Sequence, residues 1–117
     1  MPVPLEIRLV KAEQKLHVAF DDGSSFVLPA EYLRVESPSA EVQGHGPSQR
    51  TTVPGRRHVG IMAVEPVGHY AVRLLFDDMH DTGIFSWDYL YQLGREQDGR
   101  WQAYLAALQE KGLSRDP

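Results

Sequence analysis

Phe76-Asp77-Asp78-Met79-His80-Asp81-Thr82-Gly83-Ile84-Phe85-Ser86-Trp87-Asp88-Tyr89-Leu90 repeats the plan of an earlier stretch. In the first copy the alternating residues Leu16, Val18 and Phe20 lead into Asp21-Asp22, and Val27-Leu28-Pro29-Ala30-Glu31-Tyr32-Leu33 follows. In the second, Val72, Leu74 and Phe76 lead into Asp77-Asp78, and Ile84 to Leu90 follows. A period of two places each apolar set on one face of a strand, so each hairpin offers one side to a core. The Asp pairs fall between the strands, where a carboxylate bonds backbone N–H groups two residues on, and Gly23 and Gly83 are expected to relieve positive φ angles. Each copy therefore reads as strand, turn, strand, then helix start.

Working outward, Leu5, Ile7 and Leu9 alternate and predict a first strand pairing with Leu16 to Phe20 across a turn near Ala12 to Gln14. Val59 to Pro66 reads as a strand, and Pro66-Val67-Gly68 as a turn before the strand from Tyr70 to Phe76. Ser86 is placed to N-cap a short helix ending at Gly94, with Asp88 in its first turn. Trp101, Tyr104, Leu105 and Leu108 fall at i, i+3, i+4 and i+7 of a final helix, with Asp98 as its expected cap and Gly112 as its stop. These four are read as packing residues. Strands followed by helices give an α+β class: a small antiparallel sheet built from hairpins, carrying a short helix and a C-terminal amphipathic helix.

The 117 residues, 42% of them hydrophobic, predict one domain over 1–112, able to bury a core unaided, with a tail at 113–117. The chain has no cysteine, which excludes disulfides, thiolate metal sites, cluster ligation through its own thiols and a cysteine nucleophile. No charged-then-apolar leader is present and no apolar run approaches the roughly 18 residues of a membrane span, so a cytoplasmic protein is expected. A net charge of −4 argues against general nucleic-acid binding.

Charge is uneven, however. From Gln43 to His58 the chain carries Arg50, Arg56, Arg57, His45 and His58, no acid, and several Gly and Pro residues. This is a long loop, expected to be flexible over about 43–58. Its guanidinium groups suit a carboxylate or phosphate, so Arg50, Arg56 and Arg57 are candidate partner contacts, as is Trp87 with the region around His80; alternatively Arg56 and Arg57 serve a metal or small-anion sensor. His17 alternates with core positions and is expected on a solvent face.

Several separated motifs, in order, resemble one family: Leu33-Arg34-Val35-Glu36-Ser37-Pro38-Ser39-Ala40-Glu41-Val42, Gln43-Gly44-His45-Gly46-Pro47, Gly60-Ile61 with Glu65-Pro66-Val67-Gly68-His69-Tyr70-Ala71-Val72-Arg73, and Phe76 to Gly94. Together they are similar to the gamma-butyrobetaine hydroxylase-like N-terminal domain family. That resemblance covers nearly the whole chain. It implies kinship with small stand-alone bacterial proteins of uncharacterised role, with the N-terminal domains of carnitine-pathway hydroxylases, and with C-terminal extensions of Mrp-like P-loop iron-sulfur carriers. In the hydroxylases it implies a structural zinc held by C-x-C-x-x-C and a later His. The matching positions here are Ser37, Ser39, Val42 and His80. Three of four ligands are thus replaced, and a degenerate, zinc-free site is expected.

Chemistry is otherwise sparse. His80 with Asp77, Asp78 and Asp81 is either a polar turn or a weak divalent-metal site, with His80 and Asp78 as the candidate ligands. A metal-dependent hydrolase using His80 and Asp78 is the enzymatic alternative. No His is followed two positions later by Asp or Glu, so the oxygenase iron motif is absent, and no Gly-x-Ser-x-Gly elbow or P-loop occurs. The function expected is a non-catalytic binding or adaptor domain. Its partner by resemblance is an Mrp-like iron-sulfur carrier, or an oxygenase in trans.

Overall fold

A computed structural model describes residues 2–43 and 51–117. Strand β1 (Pro4–Val10), a 3-10 turn at Lys11–Glu13, β2 (Lys15–Phe20) and β3 (Ser25–Pro29) form one antiparallel sheet in the order β1-β2-β3. Helix α1 (Ala30–Val35) and the short α2 (Ala40–Gln43) follow. The plan then recurs in β4 (Ile61–Val67), β5 (Ala71–Phe76) and β6 (Gly83–Ser86), a second sheet in the order β4-β5-β6, with α3 (Trp87–Arg95) after it. Helix α4 (Gln97–Lys111) completes the fold. The α+β class holds, with the hairpins divided between two sheets. Among the described residues no helix is long and apolar enough to cross a membrane.

The alternation read from sequence sets the core. Leu16, Val18 and Phe20 from the first unit and Leu74, Phe76 and Phe85 from the second are almost fully buried, with Tyr32, Leu33, Leu90 and Leu93 from the helices between them. Each such side chain contributes about 1.5–3 kcal/mol by leaving water. A smaller cluster of Val35, Val42, Val53, Tyr104 and Leu108 lies under α4. Trp101 and Leu105 are only half-buried at its margin.

The repeat extends to single hydrogen bonds. Both units carry the same irregularity in the first strand pair, at Pro4/Glu6 and at Ile61/Ala63, and the bulged ends face Phe20 and Phe76. The helices then interlock. Tyr32 of α1 donates its hydroxyl to the Leu93 carbonyl at 2.7 Å, and Tyr89 of α3, its counterpart 57 positions later, donates to the Glu36 carbonyl at 2.5 Å. Each tyrosine therefore reaches the residue four places after the other one, which is the reciprocity of a two-fold interface built within one chain.

Three local expectations are corrected. Asp98 does not cap α4: the N-cap position is Glu96, without a side-chain cap bond, because α3 runs almost directly into α4. Helix α3 ends at Arg95, past Gly94, whose missing side chain admits the Phe26 ring. Gly83 has no positive φ; it starts β6, and a Cβ there would meet Ser37 Oγ at 2.6 Å. Ser86 does cap α3, accepting from the Tyr89 N–H at 3.1 Å, and Gly112 ends α4 at φ 65°. His17 lies on the outer face of its sheet, 29% exposed, with Glu13 at 3.9 Å.

Candidate functional site at the second turn

The two turns share one construction. Asp22 Oδ1 accepts from the Ser24 N–H at 2.9 Å, and Asp78 Oδ1 from the His80 N–H at 3.2 Å. The Phe20 N–H donates to the Ser24 carbonyl, and the Phe76 N–H to the His80 carbonyl. The other carboxylate oxygen of each Asp is met by the helix of the opposite unit. Tyr91 of α3 donates to Asp22 Oδ2 at 2.7 Å, whereas the matching residue of α1, Arg34, donates its Nε to Asp78 Oδ2 at 2.8 Å. In the first turn neutral donors bond the carboxylate at the surface, with Arg95 Nη1 donating to the Tyr91 hydroxyl at 3.1 Å; in the second, two guanidinium groups meet the carboxylate directly in one cluster.

Arg56 joins that cluster. Its Nε lies 2.7 Å from Asp78 Oδ2, a charge pair whose N–H is not aimed as a hydrogen bond, and its Nη1 donates to the Pro54 carbonyl at 2.9 Å. Burial alone would push the Asp78 carboxyl up. The Arg34 bond and charge, the His80 N–H and the Arg56 charge outweigh burial and hold it below the usual carboxylate range. One nitrogen of Arg34, Nη1, is buried without a hydrogen-bond partner.

Behind the turn, His80 is 4% exposed, with its ring centroid 5.9 Å from that of Phe76. Its Nε2 meets Ser37 Oγ at 2.9 Å and Ser39 Oγ at 3.3 Å. The Ser39 N–H donates to Ser37 Oγ, and Gln43 Nε2 donates to the Ser37 carbonyl at 2.9 Å. The structure thus brings together His80, Ser37 and Ser39, and this clasp joins the segment after α1 to the second hairpin. Val42 is turned into the cluster under α4 with Tyr104 and Leu108. Two neutral hydroxyls, one imidazole and an aliphatic side chain packed elsewhere do not fit a structural zinc, which takes four N or S donors. Among the described residues no three His, Asp or Glu converge as a metal set; Asp77 and Asp81 stand exposed while Asp78 faces the arginines.

The expected partner contacts are distributed differently. Arg57 pairs with Asp116 at 2.5 Å, and the Gly55 and Arg57 N–H groups donate to the Ser114 and Arg115 carbonyls. Arg115 grips Glu31 through two bonds of 2.7 and 2.6 Å and lies over the Trp101 ring. Residues 114–116 are therefore fastened alongside 55–57. Arg50, and His45 with it, lie outside the described residues. Trp87 is half-buried and donates Nε1 to the His69 carbonyl at 2.8 Å, remote in sequence from the arginines. A cavity of about 200 Å³ beside the turn is lined by Gly55, Arg56, His58, Val59, Asp77 and Asp78, together with Pro117. A hollow of about 380 Å³ under α4 holds Glu36 and Arg100, already paired at 2.8 Å.

Sequence reasoning missed Arg34 and Met79. Arg34 was recoverable from the repeat, because it stands where Tyr91 stands in the second copy. Met79 was also recoverable: it occupies the place of Gly23 and takes φ 73°, against 90° for the glycine.

Comparison with known proteins places this architecture. An NMR solution structure of a protein 51% identical covers the whole chain and 92% of its own length, with a TM-score of 0.86. A second NMR structure, 45% identical, covers the whole chain and 87% of its own length at the same TM-score. A crystal structure of a protein of unknown function from Acidithiobacillus ferrooxidans, assigned to the DUF971 family, is 44% identical over 78% of this chain and 91% of that one, with a TM-score of 0.65. No curated protein matches. The profile of the family described as "Gamma-butyrobetaine hydroxylase-like, N-terminal" matches residues 7–91, and the chain belongs to that family.

Proposed function

We propose that the chain is a non-catalytic binding domain, an adaptor acting in the cytoplasm that presents the corner around Asp78 and His80 to a protein partner. The observation that carries this reading is the departure of one hairpin corner from its twin. Gly23, Ser24, Tyr91 and Gly94 of the first corner correspond to Met79, His80, Arg34 and Ser37 of the second. Simple turn chemistry suffices to close the first hairpin, so the added charge cluster and serine–histidine clasp are not needed for folding a hairpin of this kind. They hold a surface in one shape. The groups that could have carried acid-base chemistry are engaged in that work: His80 Nε2 by two hydroxyls and Asp78 by two guanidinium groups.

Family resemblance selects the first partners to try, an Mrp-like P-loop iron-sulfur carrier and an oxygenase from the same genome. Light scattering on a sizing column, with the chain and each candidate alone and mixed, tests the reading. A complex of summed mass, weakened by Arg34→Met, is expected; elution equal to the sum of the separate profiles for every candidate counts against an adaptor for these enzymes.

A further inference from the structure

Each hairpin corner is a control for the other. A three-residue hairpin loop with a bulge calls for a residue in left-handed backbone at its last position, and glycine takes it without strain because no Cβ crowds the neighbouring carbonyl. Gly23 fills that position in the first corner, with open space around it. Met79 fills it in the second at φ 73°. The chain accepts backbone strain there and receives no packing in return, since the Met79 side chain is 88% exposed, the highest value among the large hydrophobic residues described.

Strain persists where the surroundings over-determine it, and such places cluster at binding elements. The surroundings here are over-determined. Asp78 on one side is fixed by Arg34 and Arg56, and His80 on the other by Ser37, Ser39 and the Phe76 N–H. A tip already rigid loses little entropy on association. Two residues to either side stand Asp77 and Asp81, both exposed, and among the described residues no hydrogen bond or ion pair engages either carboxylate side chain. The adaptable Met79 side chain is thus flanked by two unneutralised charges of one sign.

We propose that this tip is a docking element: Met79 inserts into an apolar pocket of a partner protein, and Lys or Arg side chains at that pocket's edge meet Asp77 and Asp81. The proposal rests on the adaptor reading and adds to it the contact and the chemistry of the partner.

The test places a genetically encoded diazirine amino acid at position 79 of the full chain, with the same amino acid at position 23 or position 5 as separate controls, and irradiates intact cells of the native host. Expected is a protein adduct from position 79 and none from position 23. Adding Asp77→Lys and Asp81→Lys should reduce the adduct about tenfold or more through like-charge repulsion. The cross-linked partner peptide should carry apolar residues bounded by Lys or Arg. Wild-type chain in excess should compete the adduct away, and Met79→Gly chain should not, although Met79→Gly should melt at a higher temperature than wild type. An adduct indifferent to the charge reversals, or a Met79→Gly melting point below wild type, overturns the proposal. An adduct from position 5 with none from 79 overturns the tip and leaves the adaptor reading standing. No adduct from either position removes both.

Discussion

Removing the Asp78 carboxylate should expose how different the two corners are. In Asp78→Ala, Arg34 keeps its charge at 7% exposure and loses its Nε partner, while its Nη1 already lacks one. Stripping one member from a fully buried ion pair costs about 3–5 kcal/mol. The cluster is not sealed: the Asp78 side chain is 20% exposed and that of Arg56 32%, so solvent screens part of the loss. Losing the bond to the His80 N–H adds about 1 kcal/mol. A destabilisation of about 2–3 kcal/mol follows, read as a fall of about 1 M in the urea midpoint at unchanged slope. Asp22→Ala is the paired control, since it breaks the same turn bond and a tyrosine contact at the exposed surface, and it should cost clearly less. The pH dependence has a fixed sign. Because the folded Asp78 carboxyl lies below its ordinary value of 3.8, its contribution is complete above that value and is lost as pH falls through the lower folded one. The acid limb of the stability curve should therefore flatten in Asp78→Asn. A double-mutant cycle with Arg34→Met should return a coupling of about 1 kcal/mol or more. Equal losses for Asp78→Ala and Asp22→Ala, or a coupling within error of zero, would refute the account of the second corner.

Further measurements probe the rest of the fold. Gly94→Ala should destabilise by about 1–3 kcal/mol, because its Cβ would strike the Phe26 ring, whereas Gly99→Ala in α4, with open space around it, should stabilise by about 1 kcal/mol; urea titration of both variants decides, and like signs would mean the Phe26 contact is absent. Tyr32→Phe and Tyr89→Phe should each cost about 1 kcal/mol by removing the hydroxyl that donates to the Leu93 or the Glu36 carbonyl, and a neutral result for either would deny the reciprocal lock. Burial pushes the Tyr104 hydroxyl up to about 12 from 10.0, so its share of stability is complete below pH 10.0 and is lost as pH rises toward 12; alkaline unfolding monitored by circular dichroism should soften in Tyr104→Phe, and identical curves would count against that burial.

What could be read from the sequence was whatever depends on neighbours along the chain. The period-two runs at Leu16 to Phe20 and Val72 to Phe76, the Ser86 cap and the Gly112 stop concern residues within a few positions of one another, and all appear as expected. The family pattern likewise pointed to Ser37, Ser39 and His80, which do meet. Contacts across the molecule were not legible. The ion pairs of Arg56 and Arg57 could not be read from the loop, because the acids they meet, Asp78 and Asp116, are 22 and 59 residues away. Asp98 read as a cap because nothing local revealed that α3 would continue into the next helix. Gly83 read as a turn glycine because spacing cannot distinguish a φ requirement from the close approach of Ser37.

The reciprocal bonds explain why so small a domain can tolerate a strained corner. Neither α1 nor α3 is fastened mainly to its own hairpin's turn: Arg34 and Tyr32 of the first unit end on Asp78 and Leu93 of the second, and Tyr91 and Tyr89 of the second end on Asp22 and Glu36 of the first. Opening one corner disturbs bonds to both helices, so the two units are expected to unfold in one transition, with strain at Met79 opposed by the contacts of both. The two Asp78 and Asp22 anchors are then equivalent in topology and unequal in chemistry. A protein selected only to close two hairpins would have no use for that inequality, since the tyrosine and glycine of the first corner close it at the surface with no guanidinium on the Asp22 carboxylate and no non-glycine residue in left-handed backbone. The arginine, the clasped histidine and the exposed methionine belong together as one device, in which the first two hold still what the third presents.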